Sequence, residues 1–369
     1  MRYFNFITAV ILALHYAAGN IPPSEDYNLW LIPFVIPFAL ATNVLLLLIS
    51  LVLKKKSSIY YIIALVIGSN YLISTIGLKH VFKKEKDLQG SFSVINYNVQ
   101  SPDGPSSADA FHNPDSVTWA FQNWILNNEA DIQCYQEFSN YFGNDNFDFI
   151  KKLNDKGYFT YFSFDSARLW RGVVGGVLIA SKFPIMKEGL VISSKNGTNR
   201  ITYADLKRGN DTLRIINVHL ESMGLKQYHP GYTSGFESRK ENTRIIFQKL
   251  KEGVFERSSQ IKILSTFIKN SPHAVICTGD FNDLPYSYSY QFMKKEMRNT
   301  FEEVGKGFGF TYNGKTLRTL RIDNQFYSEP LDAIGFKTLH HIDFSDHFPI
   351  QGWYKLLPEV QTTQEVRVP

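Results

Sequence analysis

Several short apolar runs in this 369-residue chain border side chains that can bind a cation, move a proton or donate a hydrogen bond. Asn98 closes Ser-Val-Ile-Asn-Tyr-Asn, Glu137 closes Asp-Ile-Gln-Cys-Tyr-Gln-Glu, and His219 follows Ile-Ile-Asn-Val. Asp280 and Asn282 lie in Val-Ile-Cys-Thr-Gly-Asp-Phe-Asn, Asp323 ends Leu-Arg-Ile-Asp, and Asp346 and His347 sit in Phe-Ser-Asp-His-Phe-Pro-Ile. A hard cation such as magnesium takes oxygen ligands and keeps several waters, so a few carboxylates and an amide hold it against a phosphate. Glu137, Asn98 and Asp346 suit that task. A histidine beside a carboxylate can take a proton from water near neutral pH, which makes His347, oriented by Asp323, the general-base candidate. Asn282 and His219 are donors able to meet developing negative charge.

These residues need strand ends that converge. Phe92 to Val99, Asp131 to Gln136, Gly172 to Ala180, Leu213 to Leu220, Ala274 to Gly279 and Phe348 to Trp353 are short and rich in β-branched or aromatic residues, so they read as strands. Val117, Phe121, Trp124 and Ile125 recur at helical spacing behind the stop and cap Asn113-Pro114-Asp115, and the stretch from Ser238 to Ile268 is a long amphipathic helix. Strands and helices mixed in this way predict a two-sheet core with helices outside. Gly104 to Ser107 and Ser222 to Gly235 read as surface loops, and residues 356–369 as a polar tail. Cys134 and Cys277 each sit inside an apolar strand, as buried core residues without disulfide or zinc spacing.

Composition divides the chain. Residues 1–82 hold nearly all the long uncharged runs and read as a membrane anchor of about three helices, near 4–19, 29–53 and 58–78; roughly 20 apolar residues cross a bilayer. The first run is the shortest and also fits a signal peptide. Lys54-Lys55-Lys56 predicts a cytoplasmic turn, and hence a domain outside, although Lys79, Lys83, Lys84 and Lys86 pull the other way. Eight of the 39 lysines and arginines and four of the 34 acidic residues precede Ser91, so the domain at 91–355 is close to neutral. It therefore lacks the broad basic footprint of tight nucleic-acid binders.

The motifs Gly-Asp-Phe-Asn (279–282) and Ser-Asp-His (345–347) resemble the endonuclease/exonuclease/phosphatase superfamily. Asn-Tyr-Asn-Val at 96–99, Gln136-Glu137, Gly-Gly-Val-Leu-Ile-Ala-Ser-Lys-Phe-Pro at 175–184, Asn-Val-His-Leu at 217–220 and Arg-Ile-Asp at 321–323 support the likeness in the family's order. The resemblance implies an α/β fold, a four-layer sandwich, with Mg2+ or Mn2+ near Asn98 and Glu137 and Asp346 beside it. It further implies that Asp280 orients the nucleophile, that Asn282 and His219 bind phosphate, and that Asp323 and His347 activate water. After Arg-Ile-Asp the family continues with an aromatic and an aliphatic residue, whereas this chain has Asn324-Gln325, which questions the local packing. The chain also looks like a bacterial subgroup with N-terminal membrane spans, sharing Arg257, Gln260 and the run from Gly305 to Gly314. The glycines of that run read as a surface turn, and Tyr312 as a residue lining the cleft.

The expectation is a hydrolase of phosphate esters in a bacterial inner membrane. Nucleic acid, a phospholipid headgroup and an inositol phosphate are the candidate substrates. A non-catalytic membrane receptor for a phosphorylated ligand is the alternative, disfavoured because binding alone has no use for a base and its carboxylate.

Overall fold

The computed structural model describes residues 2–18, 21–23, 28–78, 90–99, 107–165, 169–194, 199–222, 236–314 and 319–357. The loop expected at 104–107 lies outside them apart from Ser107, as do nearly all of the 222–235 loop and the tail beyond residue 357.

Two six-stranded mixed sheets form the centre. The first contains β1 (Phe92–Asn98), β2 (Ile132–Tyr141), β3 (Phe159–Phe164), β4 (Val173–Ser181), β11 (Leu331–Thr338) and β12 (Ile350–Leu356), in the order β11-β12-β1-β2-β4-β3. The second contains β5 (Ile185–Ser193), β6 (Arg200–Arg208), β7 (Asp211–His219), β8 (Ala274–Asp280), β9 (Arg298–Asn299) and β10 (Asp323–Tyr327), in the order β5-β6-β7-β8-β10-β9. Between the sheets lies a core that includes Val94, Ile132, Cys134, Ile215, Ile276 and Tyr354, so apolar side chains from both inner faces leave water together. On the outer face of the first sheet pack Phe111 and Phe121 from the helices at Ala108–His112 and Ser116–Asn127, with Phe149 and Leu153 from Phe149–Asp155. The second sheet is covered by Ile261 and Leu264 of the long helix Phe236–Lys269 and by Tyr290 and Met293 of Tyr288–Met293. The result is the four-layer sandwich of helix, sheet, sheet and helix. Asp115 caps the helix at Ser116 as its sequence predicts, accepting the Thr118 amide at 2.8 Å.

Each sheet has one central parallel pair. β1 runs beside β2 with Asn98 opposite Gln136, and β7 runs beside β8 with His219 opposite Asp280. β10 is antiparallel to β8 with Asp323 opposite Asp280. These registers bring the carboxyl ends of β1, β2, β7 and β8 and the start of β10 to one edge. Amides seam the sheets there, since Gln136 Nε2 donates to Asn96 Oδ1 at 2.6 Å and to Asn217 Oδ1 at 2.5 Å. Of the unexpected pair Asn324-Gln325, Gln325 belongs to the same seam: its Nε2 donates to the Val94 carbonyl at 3.0 Å and its Oε1 accepts from the Tyr354 hydroxyl at 2.9 Å, while Asn324 stays in its own sheet, its Oδ1 accepting from Arg321 and Asn299. Hydrogen bonds thus replace the expected apolar pair at no loss of satisfaction.

Ahead of the sandwich come α1 (Arg2–Ala18), α2 (Ile32–Val52), α3 (Ser58–Ile67) and α4 (Ser69–Thr75). Among the described residues α2 alone is a single helix long and apolar enough to span a bilayer. The run at 58–78 does not form one straight span: α3 and α4 meet at 72°, as a broken span or a re-entrant loop, and α1 is shorter than a full crossing. These helices share a cluster with the sandwich, in which Tyr16, Ile36, Leu40 and Tyr71 pack with Leu284, Tyr286 and Ile322.

The glycine run is the other departure from expectation. Instead of a free surface turn it seats the end of the N-terminal region, because Gly77 N donates to the Gly307 carbonyl at 2.7 Å and Gly307 N returns the bond at 3.2 Å. A Cβ on Gly77 would collide with the Gly305 carbonyl, so close backbone approach requires glycine there.

Candidate active site

Asp280 occupies the centre of the strand-end cluster. Its Oδ2 accepts Asn98 Nδ2 at 3.0 Å and lies 3.8 Å from His347 Nε2 and 3.9 Å from His219 Nε2, while its Oδ1 accepts the backbone amide of Asn282 at 2.8 Å. The preceding Gly279 has φ +152°, and a Cβ there would overlap the Val218 carbonyl. Glycine is thus what permits β7 and β8 to close on each other beside the site.

Glu137 sits where β2 loses register against β4, between Tyr135 and Phe138, with φ +51°. A bulge re-aims one side chain, and here it turns Glu137 out of the strand alternation toward Asn98, whose Nδ2 lies 3.0 Å from Oε1. A left-handed conformation in a residue other than glycine is strained and recurs at functional sites.

His219 is buried with neither ring nitrogen hydrogen-bonded among the described residues, yet Nε2 stands 3.5 Å from Glu137 Oε1. A buried polar ring without a partner costs free energy unless a ligand supplies one.

His347 Nδ1 lies 2.8 Å from Asp323 Oδ2, a charge-assisted bond within a buried pair. Burial favours the neutral imidazole, but the charges of Asp323, Asp280 and Asp346 outweigh it and push the ring pKa up to about 10. The edge of the Tyr312 ring meets the imidazole at 5.5 Å, and the two residues form an isolated antiparallel bridge.

Of the expected residues, Asn98, Glu137, His219, Asp280, Asp323 and His347 form one connected cluster, which Tyr312 meets at His347. Asn282, φ +50°, donates its side-chain amide to the Leu220 carbonyl at 3.0 Å, so in this state it fastens the strand end. Asp346 is half-buried beside Ser345, whose hydroxyl lies 3.4 Å from its Oδ1. The residues whose ligand atoms lie within 4.8 Å of one another are Asp280, Asp323 and His347, but Nδ1 of that set already engages Asp323. With Glu137 and Asp346 nearby, the donor set is rich in carboxylate oxygen and suits a hard divalent cation.

Two supports, Thr311 and Ser345, had no sequence signal strong enough to single them out. Thr311 Oγ1 accepts the amides of Ile322 and Asp323 at 3.0 and 3.1 Å, and the Ser345 hydroxyl donates to the Asn98 carbonyl at 2.8 Å and accepts the His347 amide at 3.2 Å. Glu221 is held by the subgroup residues: Gln260 Oε1 accepts its amide at 3.0 Å, and Arg257 donates to its carbonyl at 3.0 Å while pairing with Asp283 at 3.4 Å. Arg257 and Gln260 thereby clamp the segments just beyond His219 and Asn282.

The sequence model of the Endonuclease/Exonuclease/phosphatase family matches residues 95–347, and the chain belongs to this family. Its members are hydrolases acting on phosphate esters. The catalytic domain of human Nocturnin, solved with bound sulfate, superposes with a TM-score of 0.52 at 15% identity, covering 76% of this chain and 99% of that one. An endonuclease/exonuclease/phosphatase family protein from Leptotrichia buccalis gives 0.50 at 14% identity, over 72% and 100%. These likenesses concern the fold. Among curated proteins no sequence matches.

Proposed function

We propose that this chain is a membrane-anchored, divalent-metal-dependent phosphoric ester hydrolase in which His347 activates the attacking water. The carrying observation is the buried Asp323–His347 pair at 2.8 Å, aimed at the cluster of Asp280, Glu137 and His219. Asp323 orients the imidazole through Nδ1 and leaves Nε2 toward the site; Nε2 takes the proton as water attacks phosphorus and the ester oxygen departs on the far side. Asp280 orients that water, and His219 and Asn282 meet the phosphate oxygens, which gives the orphaned ring of His219 a partner. Glu137, Asn98 and Asp346 would hold Mg2+ or Mn2+, which neutralises charge on the phosphate and, by adding positive charge among the carboxylates, favours the neutral imidazole a base requires.

The N-terminal helices support a membrane location. Phe38, Val52 and Val66 are among many large apolar side chains exposed on α2 and α3, more than a soluble surface carries. They support an orientation too: Trp30, in the short 3-10 turn Asn28–Leu31 just before α2, packs on Phe247 of the sandwich at 4.8 Å, and Gly77 pairs with Gly307, whereas Lys54-Lys55-Lys56 lies at the far end of a 21-residue helix, roughly 30 Å away. With the lysines cytoplasmic, the catalytic domain lies outside the inner membrane of a bacterium.

Tyr312 touches His347 and also packs against the helical cluster, so the apolar anchor reaches the wall of the site. That favours a phospholipid headgroup as the phosphate ester, ahead of nucleic acid or an inositol phosphate. The test is hydrolysis by the full chain in vesicles, with Mg2+ or Mn2+, of phospholipid diesters, DNA, RNA and inositol phosphates. Turnover confined to soluble esters would reject the lipid, and no turnover of any would reject the hydrolase.

A further inference from the structure

We infer that the N-terminal helices complete the active site: the end of α4 holds Arg321, and Arg321 fixes the strand entry from which Asp323 reaches His347. This rests on the reading of Asp323 and His347 as the proton-transfer pair. Arg321 is 3% exposed, so its charge depends on protein partners alone. Nη2 donates to the Ser74 carbonyl at 2.6 Å and to the Tyr290 hydroxyl at 3.1 Å, Nη1 donates to Asn324 Oδ1, and the guanidinium lies over the Phe301 ring at 4.4 Å. A carboxylate lies one step away: Glu302 accepts the hydroxyls of Ser74 and Tyr290, at 2.5 and 2.8 Å, and pairs with Lys294 at 2.8 Å. Ser74 is therefore a built-in member of a buried network that ends two residues from Asp323.

A second grip comes from Gly77. Its pairing with Gly307 anchors the run that leads to Thr311, whose hydroxyl receives the amides of Ile322 and Asp323. Both chains framing Asp323 are thus held by the N-terminal region. A misplacement of about 1 Å in such a group can lower turnover on the order of a hundredfold. Arg321 is a positioning residue here; it does not touch the reacting atoms.

The test uses the full chain in vesicles. Arg321→Lys keeps the charge but cannot reach Ser74, Tyr290 and Asn324 together. We expect kcat to fall at least about tenfold with KM within about twofold, and the downfield imidazole N–H resonance of the His347–Asp323 bond to move or vanish. Ser74→Ala, which removes the hydroxyl's bonds to Glu302, Lys294 and the Asn70 carbonyl but keeps the backbone carbonyl that Arg321 uses, is the milder second variant and should shift both readouts in the same direction. Phe247→Ala loosens the Trp30 contact elsewhere and should leave both within error. Folded Arg321→Lys and Ser74→Ala proteins with unchanged resonance and kcat would overturn the inference. If the wild type turns over no phosphate ester, the proposed function fails, while the resonance and hydrogen exchange at the Asp323 amide still decide this point.

Discussion

The side-chain amide of Asn98 lies 3.0 Å from Oδ2 of Asp280, and that single bond ties the end of β1 in one sheet to the end of β8 in the other. The same nitrogen reaches Glu137 at 3.0 Å, so one neutral donor holds two carboxylates together. Asn98→Ala should leave those carboxylates to repel one another. We expect activity about 10- to 100-fold lower, with weaker Mn2+ binding measured by calorimetry on the full chain.

The proposed role of a divalent metal has its own consequence. Chelation should abolish turnover, and Mg2+ or Mn2+ should restore it, because Glu137, Asp280 and Asp346 gather negative charge where an anionic phosphate has to bind. Turnover that persists after exhaustive chelation would contradict this.

For His347 the sign is fixed by the direction of its shift. The ring is raised from its ordinary 6.5 to about 10 in the folded protein, so the pair's stabilisation is fully present below the unfolded value and is lost as pH rises through the folded one. In chelator, the stability advantage of wild type over His347→Gln should therefore shrink between about pH 6.5 and 10, by at most about 1.4 kcal/mol per unit. Denaturant melts across that window check it; an advantage that grows with pH would contradict the charge assignment.

Arg214 and Asp205 form a buried ion pair in the second sheet, with bonds of 2.7 and 2.8 Å, and the guanidinium stacks at 4.9 Å on both Tyr203 and Phe267. Arg214→Ala leaves Asp205 charged and buried, and should destabilise the protein by about 3–5 kcal/mol in urea. The site is elsewhere, so activity per folded molecule should hold.

Gly279→Ala has no room: the new Cβ meets the Val218 backbone, which cannot swing aside as a side chain would. Loss of the folded protein, or of the β7–β8 pairing that sets His219 beside Asp280, is the expected outcome, read by circular dichroism and melting.

The strands that carry chemistry were legible because they are continuous apolar runs capped by a functional residue, as in Val-Ile-Cys-Thr-Gly-Asp. Those that were not are polar for a reason. β6, Arg-Ile-Thr-Tyr-Ala-Asp-Leu-Lys-Arg, buries Asp205 against Arg214 of β7; β10 begins Asp-Asn-Gln because Asp323 meets His347 and Gln325 bridges to the other sheet; and β5 is an edge strand with exposed Lys187 and Glu188. Asp323 and His347 could be assigned to one site from their motifs, whereas Thr311 and Ser345 could not, since a hydroxyl that braces a backbone looks like any loop residue. The break at Gly68 was hidden for another reason. Hydropathy reports length and polarity, but the 72° bend depends on how α3 and α4 meet α1 and the sandwich.

The most direct measurement is hydrolysis of a phosphodiester by the full chain with Mg2+ in 18O-labelled water, beside His347→Ala. One labelled oxygen should appear in the phosphate product, and the variant should be about 10²- to 10⁴-fold slower. Turnover equal in both proteins would contradict His347 as the base, and unlabelled phosphate would contradict attack of water at phosphorus.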